Sequence, residues 1–321
     1  MEPIIPPVDK ELLKAELTRD RKLQDTNKGG NELYIVTAHD SPNVMKELGR
    51  LREEAYRASG GCSGKSMDID EFDTMENPYK QIVVWDPEAE AILGGYRYIL
   101  GPDVQFDADG VPILATAHMF RFSDKFIKEY LPHTVELGRS FVSLGYQSSK
   151  AGAKAIFALD NLWDGIAAVI LQNKGIRYFF GKMTIYSSYD KAARDLVLHF
   201  LEKHFADKED LVKPVEPVEP ECDVRLLDLI LKDDDLKTDY RNLKNAVRKL
   251  GTSIPPLVNS YINTSSSMKM FGTGVYHEFA DAVEPAILVN FNDVYEDKKL
   301  RHIEAYTRGL MERLRRKGKK A

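Results

Sequence analysis

Two stretches of this sequence bring together residue types that can move a proton and hold a zwitterion. One is Glu136-Leu137-Gly138-Arg139-Ser140, and the other, upstream, is the acidic triplet Asp68, Asp70 and Asp73. A carboxylate and a guanidinium on one predicted strand, facing a loop with three acids, suit chemistry on an amine. The base removes a proton from an ammonium group, and the cation holds a carboxylate. In a regular strand residues three apart face opposite sides, so Glu136 and Arg139 share a site only if Gly138 marks a bulge. The plainer alternative is a structural ion pair. The triplet is equally readable as a solvated loop, but like charges so crowded are unfavourable unless cations sit among them. Arg52, Arg97 and Arg139 are the available cations.

Other motifs carry less. Gly60-Gly61-Cys62-Ser63-Gly64-Lys65-Ser66 ends like a phosphate-binding loop, yet Ser59 stands where the first glycine belongs and a helix rather than a strand precedes it. A flexible substrate loop is the expectation. His199 and His204 fall on different faces of one helix, and no metal-ligand set is legible. Ser140 lacks a histidine at a motif spacing and the flanking glycines of a nucleophile elbow. Tyr178, Phe179 and Phe180 fit either an acyl pocket or plain core.

Residues 8–20 read as a short amphipathic helix and residues 34–38 as a first strand. Ser41-Pro42 starts a helix whose apolar stripe is Val44, Leu48, Leu51 and Ala55. Residues 81–85 and 91–100 form a hairpin, residues 134–142 a further strand, and residues 150–172 a long helix closed by Gly175. A buried strand (176–181), a helix (190–205), an extended proline-rich connector (211–220), helices at 236–250 and 255–262, a strand at 286–291 and a basic final helix complete the chain. Hairpins alternating with helices predict a mixed α/β sheet with helices on both faces.

At 321 residues, 43% hydrophobic and 30% charged, the composition is that of an ordinary globular protein. The net charge of −5 gives no pull toward nucleic acid, leaving local basic patches at Lys150 and Lys154 and in the tail from Arg313 to Lys320 to meet acidic partners. Cys62 and Cys222, far apart, fit a reducing compartment. The expectation is a cytoplasmic protein: residues 1–7 lack signal-peptide character and no apolar run approaches the roughly 20 residues of a spanning helix, leaving only peripheral membrane contact.

In order, Leu51-Arg52 with Ala55-Tyr56, Asp68 through Asp73, Gly94-Gly95-Tyr96-Arg97-Tyr98-Ile99-Leu100 and Glu136-Leu137-Gly138-Arg139-Ser140 resemble the hemolysin-like acyltransferases of the GNAT superfamily. These are amino-acid N-acyltransferases that make ornithine and glycine lipids. The same order is similar to the acyl-homoserine-lactone autoinducer synthases, which share the fold; Asp68 stands where those carry glutamate and Tyr56 where phenylalanine is common. The resemblance runs from Tyr34 to Phe205 and resumes at Ile254-Pro255-Pro256-Leu257 and Phe279-Ala280-Asp281. It implies a GNAT-like core over residues 1–208 with a mostly antiparallel central sheet, a connector at 209–222, and a C-terminal part (223–321) that packs on the core and ends in the basic helix.

It further implies that a long acyl or 3-hydroxyacyl chain passes from the phosphopantetheine thioester of acyl carrier protein to the amine of glycine or ornithine, with no bound cofactor and no metal. Glu136 would be the base, and Arg139 would orient it or hold substrate. Asp68, Asp70 and Asp73 would attract the ammonium, and Arg52 or Arg97 would pair with the carboxylate. The oxyanion needs backbone donors near Phe141, Val142 and Ser143. The loop containing Gln147, Lys150 and Gly152 stands where these enzymes bind the pantetheine phosphate, and Lys150 with Lys154 could meet an acidic carrier protein or be a solvated face. Two rivals are an acetyl-coenzyme-A-dependent N-acetyltransferase and an autoinducer synthase. The family's hemolysin label adds a membrane-active protein, against which the lack of a spanning or amphipathic lytic segment weighs.

Overall fold

The computed structural model describes residues 1–147 and 153–318. In chain order the strands are β1 (Lys22–Asp25), β2 (Glu32–Val36), β3 (Lys80–Asp86), β4 (Ala91–Leu100), β5 (Phe120–Phe122), β6 (Thr134–Val142), β7 (Tyr178–Lys182), β8 (Val212–Pro214), β9 (Lys269–Tyr276) and β10 (Ala282–Asn290). The helices are α1 (Lys10–Glu16), α2 (Pro42–Ser59), α3 (Glu71–Thr74), α4 (Ala153–Gln172), α5 (Lys191–Phe205), α6 (Val224–Ile230), α7 (Leu236–Lys249), α8 (Pro256–Ile262) and α9 (Glu296–Gly318). The fold is mixed α/β with mostly antiparallel pairing, as the sequence predicts. Two compact units divide the chain: residues 1–104, 135–176 and 295–321 form one, and residues 105–134 and 177–294 the other.

In the first unit the strands run β1-β2-β3-β4-β6, every neighbour antiparallel. Residues opposite each other in such a ladder point to the same face. Gln81 faces Arg97 and Val83 faces Gly95, so these four share one face, the one covered by α2, whose Leu48 lies over Gly95. Ile82 points the other way, against Gly165 of α4. Helices therefore cover both faces.

Gly94 and Gly95 are required by close backbone approach. A Cβ on Gly94 would stand 2.5 Å from the Phe141 carbonyl oxygen, and one on Gly95 would stand 2.8 Å from that of Ile82. Neither neighbour can rotate away. Gly94→Ala is accordingly expected to destabilise the protein by about 1–3 kcal/mol, the usual cost of overpacking, readable as a lower urea midpoint with an unchanged slope.

Three local expectations are corrected. The strand near residue 34 is not the first, because β1 precedes it and pairs with it as a hairpin. Ser41 stands at the cap of α2 but makes no side-chain cap bond. Instead the carboxylate of Glu16 accepts the amides of Asn43 and Val44 at 3.1 and 2.8 Å, a cap supplied from α1. The loop after α2 is tied down: Glu53 accepts Ser63 Oγ at 2.7 Å and the Gly64 amide at 3.0 Å, so these donors face a carboxylate of their own chain.

In the second unit β10 lies between β7 and β9, and β5 pairs with β8. Phe179 and Phe180 are both core and point opposite ways, Phe179 toward Tyr261 and Phe180 toward Phe122, Phe126 and Phe271. The two histidines of α5 are paired rather than convergent, His199 with Asp228 and His204 with Asp239. Among the described residues no helix is long and apolar enough to cross a membrane.

Candidate active site

The site lies wholly within the first unit. Its base is the sheet face under α2. Gly138 pairs with Arg97 and Glu136 with Ile99, so Glu136 and Arg97 project from adjacent strands to the same side. Between Gly138 and Phe141 strand β6 carries one residue more than its partner β4, and Arg139 takes up the excess in the left-handed region (φ +49°). A bulge thus exists where the sequence reading placed one. The strained residue is Arg139 rather than its glycine neighbour.

The bulge turns Arg139 toward the acidic loop. Its Nε lies 3.0 Å from Asp68 Oδ2 and its Nη2 3.2 Å from Asp70 Oδ2. Arg97 Nη1 is 2.6 Å from Asp70 Oδ1 and 3.4 Å from Asp73 Oδ2. Arg52, reaching in from α2, is 3.1 Å from Asp73 Oδ2 and also donates to Gln81 Oε1, while Gln81 Nε2 donates to Asp73 Oδ1 at 3.0 Å. Three carboxylates and three guanidiniums alternate in one chain of zero formal charge. Asp70 and Asp73 also form a reciprocal capping box at the start of α3, which fixes the loop that carries them.

This chain is nearly dry. Arg52, Asp68, Asp73, Arg97 and Glu136 are each no more than 3% exposed. Burial alone would push the Asp70 carboxyl upward, but Arg97, which also hydrogen-bonds it, together with Arg139 and Arg52, holds it well below the ordinary carboxylate range. Burial would lower Arg97, yet Asp73 and Asp70 outweigh both that and the repulsion of Arg139, raising it above its usual value.

Glu136 is linked to this assembly through Tyr79, whose hydroxyl donates to Glu136 Oε2 and whose ring centroid lies 5.2 Å from the Arg97 guanidinium. Phe72 of α3 covers the same guanidinium at 5.7 Å and meets Tyr79 edge-on. Tyr79 and Gln81 are the site residues the sequence reading missed. For Gln81 a signal existed: it is the polar residue opening the apolar run Ile82-Val83-Val84-Trp85. Tyr79 follows Asn77-Pro78 and reads only as a strand entrance.

The donor-side positions are dispersed. Phe141 is buried core on β6. Ser143 gives its amide to the Leu93 carbonyl at 2.8 Å and its hydroxyl to the Ile92 carbonyl at 2.7 Å, locking the end of β6 onto β4. Gln147 donates to the carbonyl of Val142 at 2.6 Å, closing the turn that follows. Lys150 and Gly152 lie outside the described residues.

Residues 51–155, which hold every charged member of the site, match the family model of the acetyltransferase (GNAT) domain. Over nearly its whole length the chain is also similar to two named relatives. It is 58% identical to glycine N(alpha)-acyltransferase of Phocaeicola vulgatus over 96% of this chain and 94% of that one. The identity to the Bacteroides thetaiotaomicron glycine N(alpha)-acyltransferase is likewise 58%, over 95% and 91%. The chain belongs to the amino-acid N-acyltransferase family of the GNAT superfamily. As an N-acyltransferase it takes an acyl thioester as donor and an amino acid as acceptor. Among solved structures, FeeM, an N-acyl amino acid synthase from uncultured soil microbes, overlaps 81% of this chain and 90% of its own at 11% identity and a TM-score of 0.39, too loosely to compare side chains.

Proposed function

We propose that this N-acyltransferase moves a long-chain acyl or 3-hydroxyacyl group from acyl carrier protein to the amine of glycine, as a step of aminolipid synthesis. The observation that carries the chemistry is Glu136, a buried carboxylate on the same sheet face as Arg97 and bridged to it by Tyr79. Glu136 takes a proton from the glycinium nitrogen, directly or through water. The freed amine attacks the thioester carbonyl and the C–N bond forms; the nitrogen then gives up a second proton as the C–S bond breaks, and the thiolate takes up a proton in turn and leaves as the thiol.

Arg97 is the proposed holder of the acceptor carboxylate. Its Nη1 is committed to Asp70 and Asp73, while Arg97 Nε is buried with no hydrogen-bond partner. A buried donor left unmet is uncommon and invites a ligand. Gly138 keeps the space above it small-walled, since even a Cβ there would stand 3.5 Å from that nitrogen.

Glycine is favoured over ornithine on charge grounds. Ornithine brings a second ammonium that needs its own carboxylate, and Asp68, Asp70 and Asp73 each already carry an arginine. The relatives named glycine N(alpha)-acyltransferase support the same choice.

The donor is tested by following thiol release with glycine present. Long-chain acyl carrier protein is expected to turn over at a kcat/KM at least about 100-fold above that of acetyl-coenzyme A, because the remote chain contributes binding energy to the transition state. Equal or better use of acetyl-coenzyme A would replace this reading with the acetyltransferase one.

A further inference from the structure

Helix α2 meets the site at two points one turn apart. Arg52 and Tyr56 stand four residues apart, so their side chains leave the same face of the helix. Both are buried. Arg52 reaches the acidic loop at Asp73, whereas the Tyr56 hydroxyl reaches the sheet and donates to the carbonyl oxygen of Ser140 at 3.2 Å.

That carbonyl belongs to the bulge. Gly95 pairs with Phe141 and Arg97 with Gly138, so Arg139 and Ser140 together stand opposite Tyr96. A bulge interrupts the ladder locally, and a non-glycine residue at φ +49° is strained and persists only where its neighbours over-determine it. Two carboxylates hold the Arg139 side chain, Asp68 at Nε and Asp70 at Nη2. Tyr56 holds the backbone just after it, fixing the peptide unit that returns the chain to the ladder at Phe141. From Arg139 the contacts continue: Asp70 also accepts from Arg97 Nη1 at 2.6 Å. The seat of Arg97 therefore depends on the bulge through one shared carboxylate. Glu136 does not, because it precedes the bulge in regular register with Ile99.

We propose that Tyr56 is a positioning residue for the acceptor. Its hydroxyl pins the bulge of β6, the bulge aims Arg139 at Asp68 and Asp70, and Asp70 in turn seats Arg97 for the carboxylate of glycine. This rests on the reading of Arg97 given above. Tyr56 acts through other residues and touches neither the amine nor the thioester. Loss of its hydroxyl weakens acceptor binding and leaves proton transfer at Glu136 in place, so the effect falls on KM for glycine rather than on kcat.

Tyr56→Phe removes the hydroxyl and keeps the ring. With a long-chain acyl thioester saturating and glycine varied, KM for glycine is expected to rise about tenfold while kcat stays within about threefold. The second arm reads coupling. Arg139→Lys raises the glycine KM by itself, and adding Tyr56→Phe raises it by no more than about a further twofold, because both changes act through one set of contacts. A full tenfold rise in the Arg139→Lys background, on the order of that in wild type, overturns the inference. So does a fall in kcat at unchanged KM, which would put the hydroxyl in the chemical step. A lower urea midpoint with both kinetic constants unmoved reduces Tyr56 to a structural residue and overturns it as well. An unmoved glycine KM in Tyr56→Phe, where Arg97→Lys raises it, overturns the positioning role and leaves the acceptor reading intact. An unmoved KM in both variants overturns both.

Discussion

Replacing Glu136 by glutamine is expected to lower kcat for glycine acylation by about 100- to 10,000-fold, the range over which a positioned general base acts. The change is nearly isosteric and keeps an acceptor oxygen for the Tyr79 hydroxyl, so far-UV and near-UV circular dichroism should match wild type. The proton acceptor alone is lost. Tyr79→Phe is the graded companion. It removes a donor that holds Glu136 Oε2 in place, so kcat is expected to fall, but by less than in Glu136→Gln, with the circular dichroism unchanged. Wild-type turnover by Glu136→Gln, measured as thiol release, would remove this carboxylate from the reaction.

Arg97→Met is expected to be the most damaging change to stability. It removes one guanidinium from each of Asp70 and Asp73, leaving Arg139 beside the first and Arg52 beside the second, in a site where Asp73 and Arg52 are at most 1% exposed. Breaking a buried charge network from one side costs about 3–5 kcal/mol, because the remaining charge stays desolvated. Adding Asp70→Asn should recover part of that loss, since the two residues share one network. The acid side offers a second reading. Asp70 titrates below its unfolded value, so its contribution is fully present above about pH 4 and is lost as pH falls from there through the folded pKa. In Arg97→Met the Asp70 carboxyl rises toward its ordinary value, and the fall in stability over that window becomes shallower. Urea titrations at several pH values measure both effects.

Much of the fold was readable from pattern. In the first unit the hairpin of β3 and β4 and the stripe of α2 follow from spacing, in the second the ends of α5 and α7 follow from their caps, and the crowding of Asp68, Asp70 and Asp73 correctly demanded arginines among them. What escaped has physical causes. Strand β1 is four residues long with two of them buried, below the length at which alternation is visible. Strand β9 is interrupted by Gly272 and Gly274, which read as breakers, and Pro285 within β10 hid the first half of that strand. At the site, Gly138 marked the right place for the bulge, but a sequence cannot say that Arg139 would take the left-handed conformation. Nor could it show which arginine meets which aspartate, because those pairings join α2, the α3 loop, β4 and β6. The cap of α2 by Glu16 is equally a tertiary event.

The most direct test of the central proposal offers the enzyme a long-chain acyl carrier thioester together with equal concentrations of glycine and ornithine, and identifies the products by mass spectrometry. N-acylglycine as the dominant product, absent when Glu136→Gln replaces the wild-type enzyme, is the expected result. Predominant N-acylornithine, or acylation of neither amine while the thioester is merely hydrolysed, would contradict it.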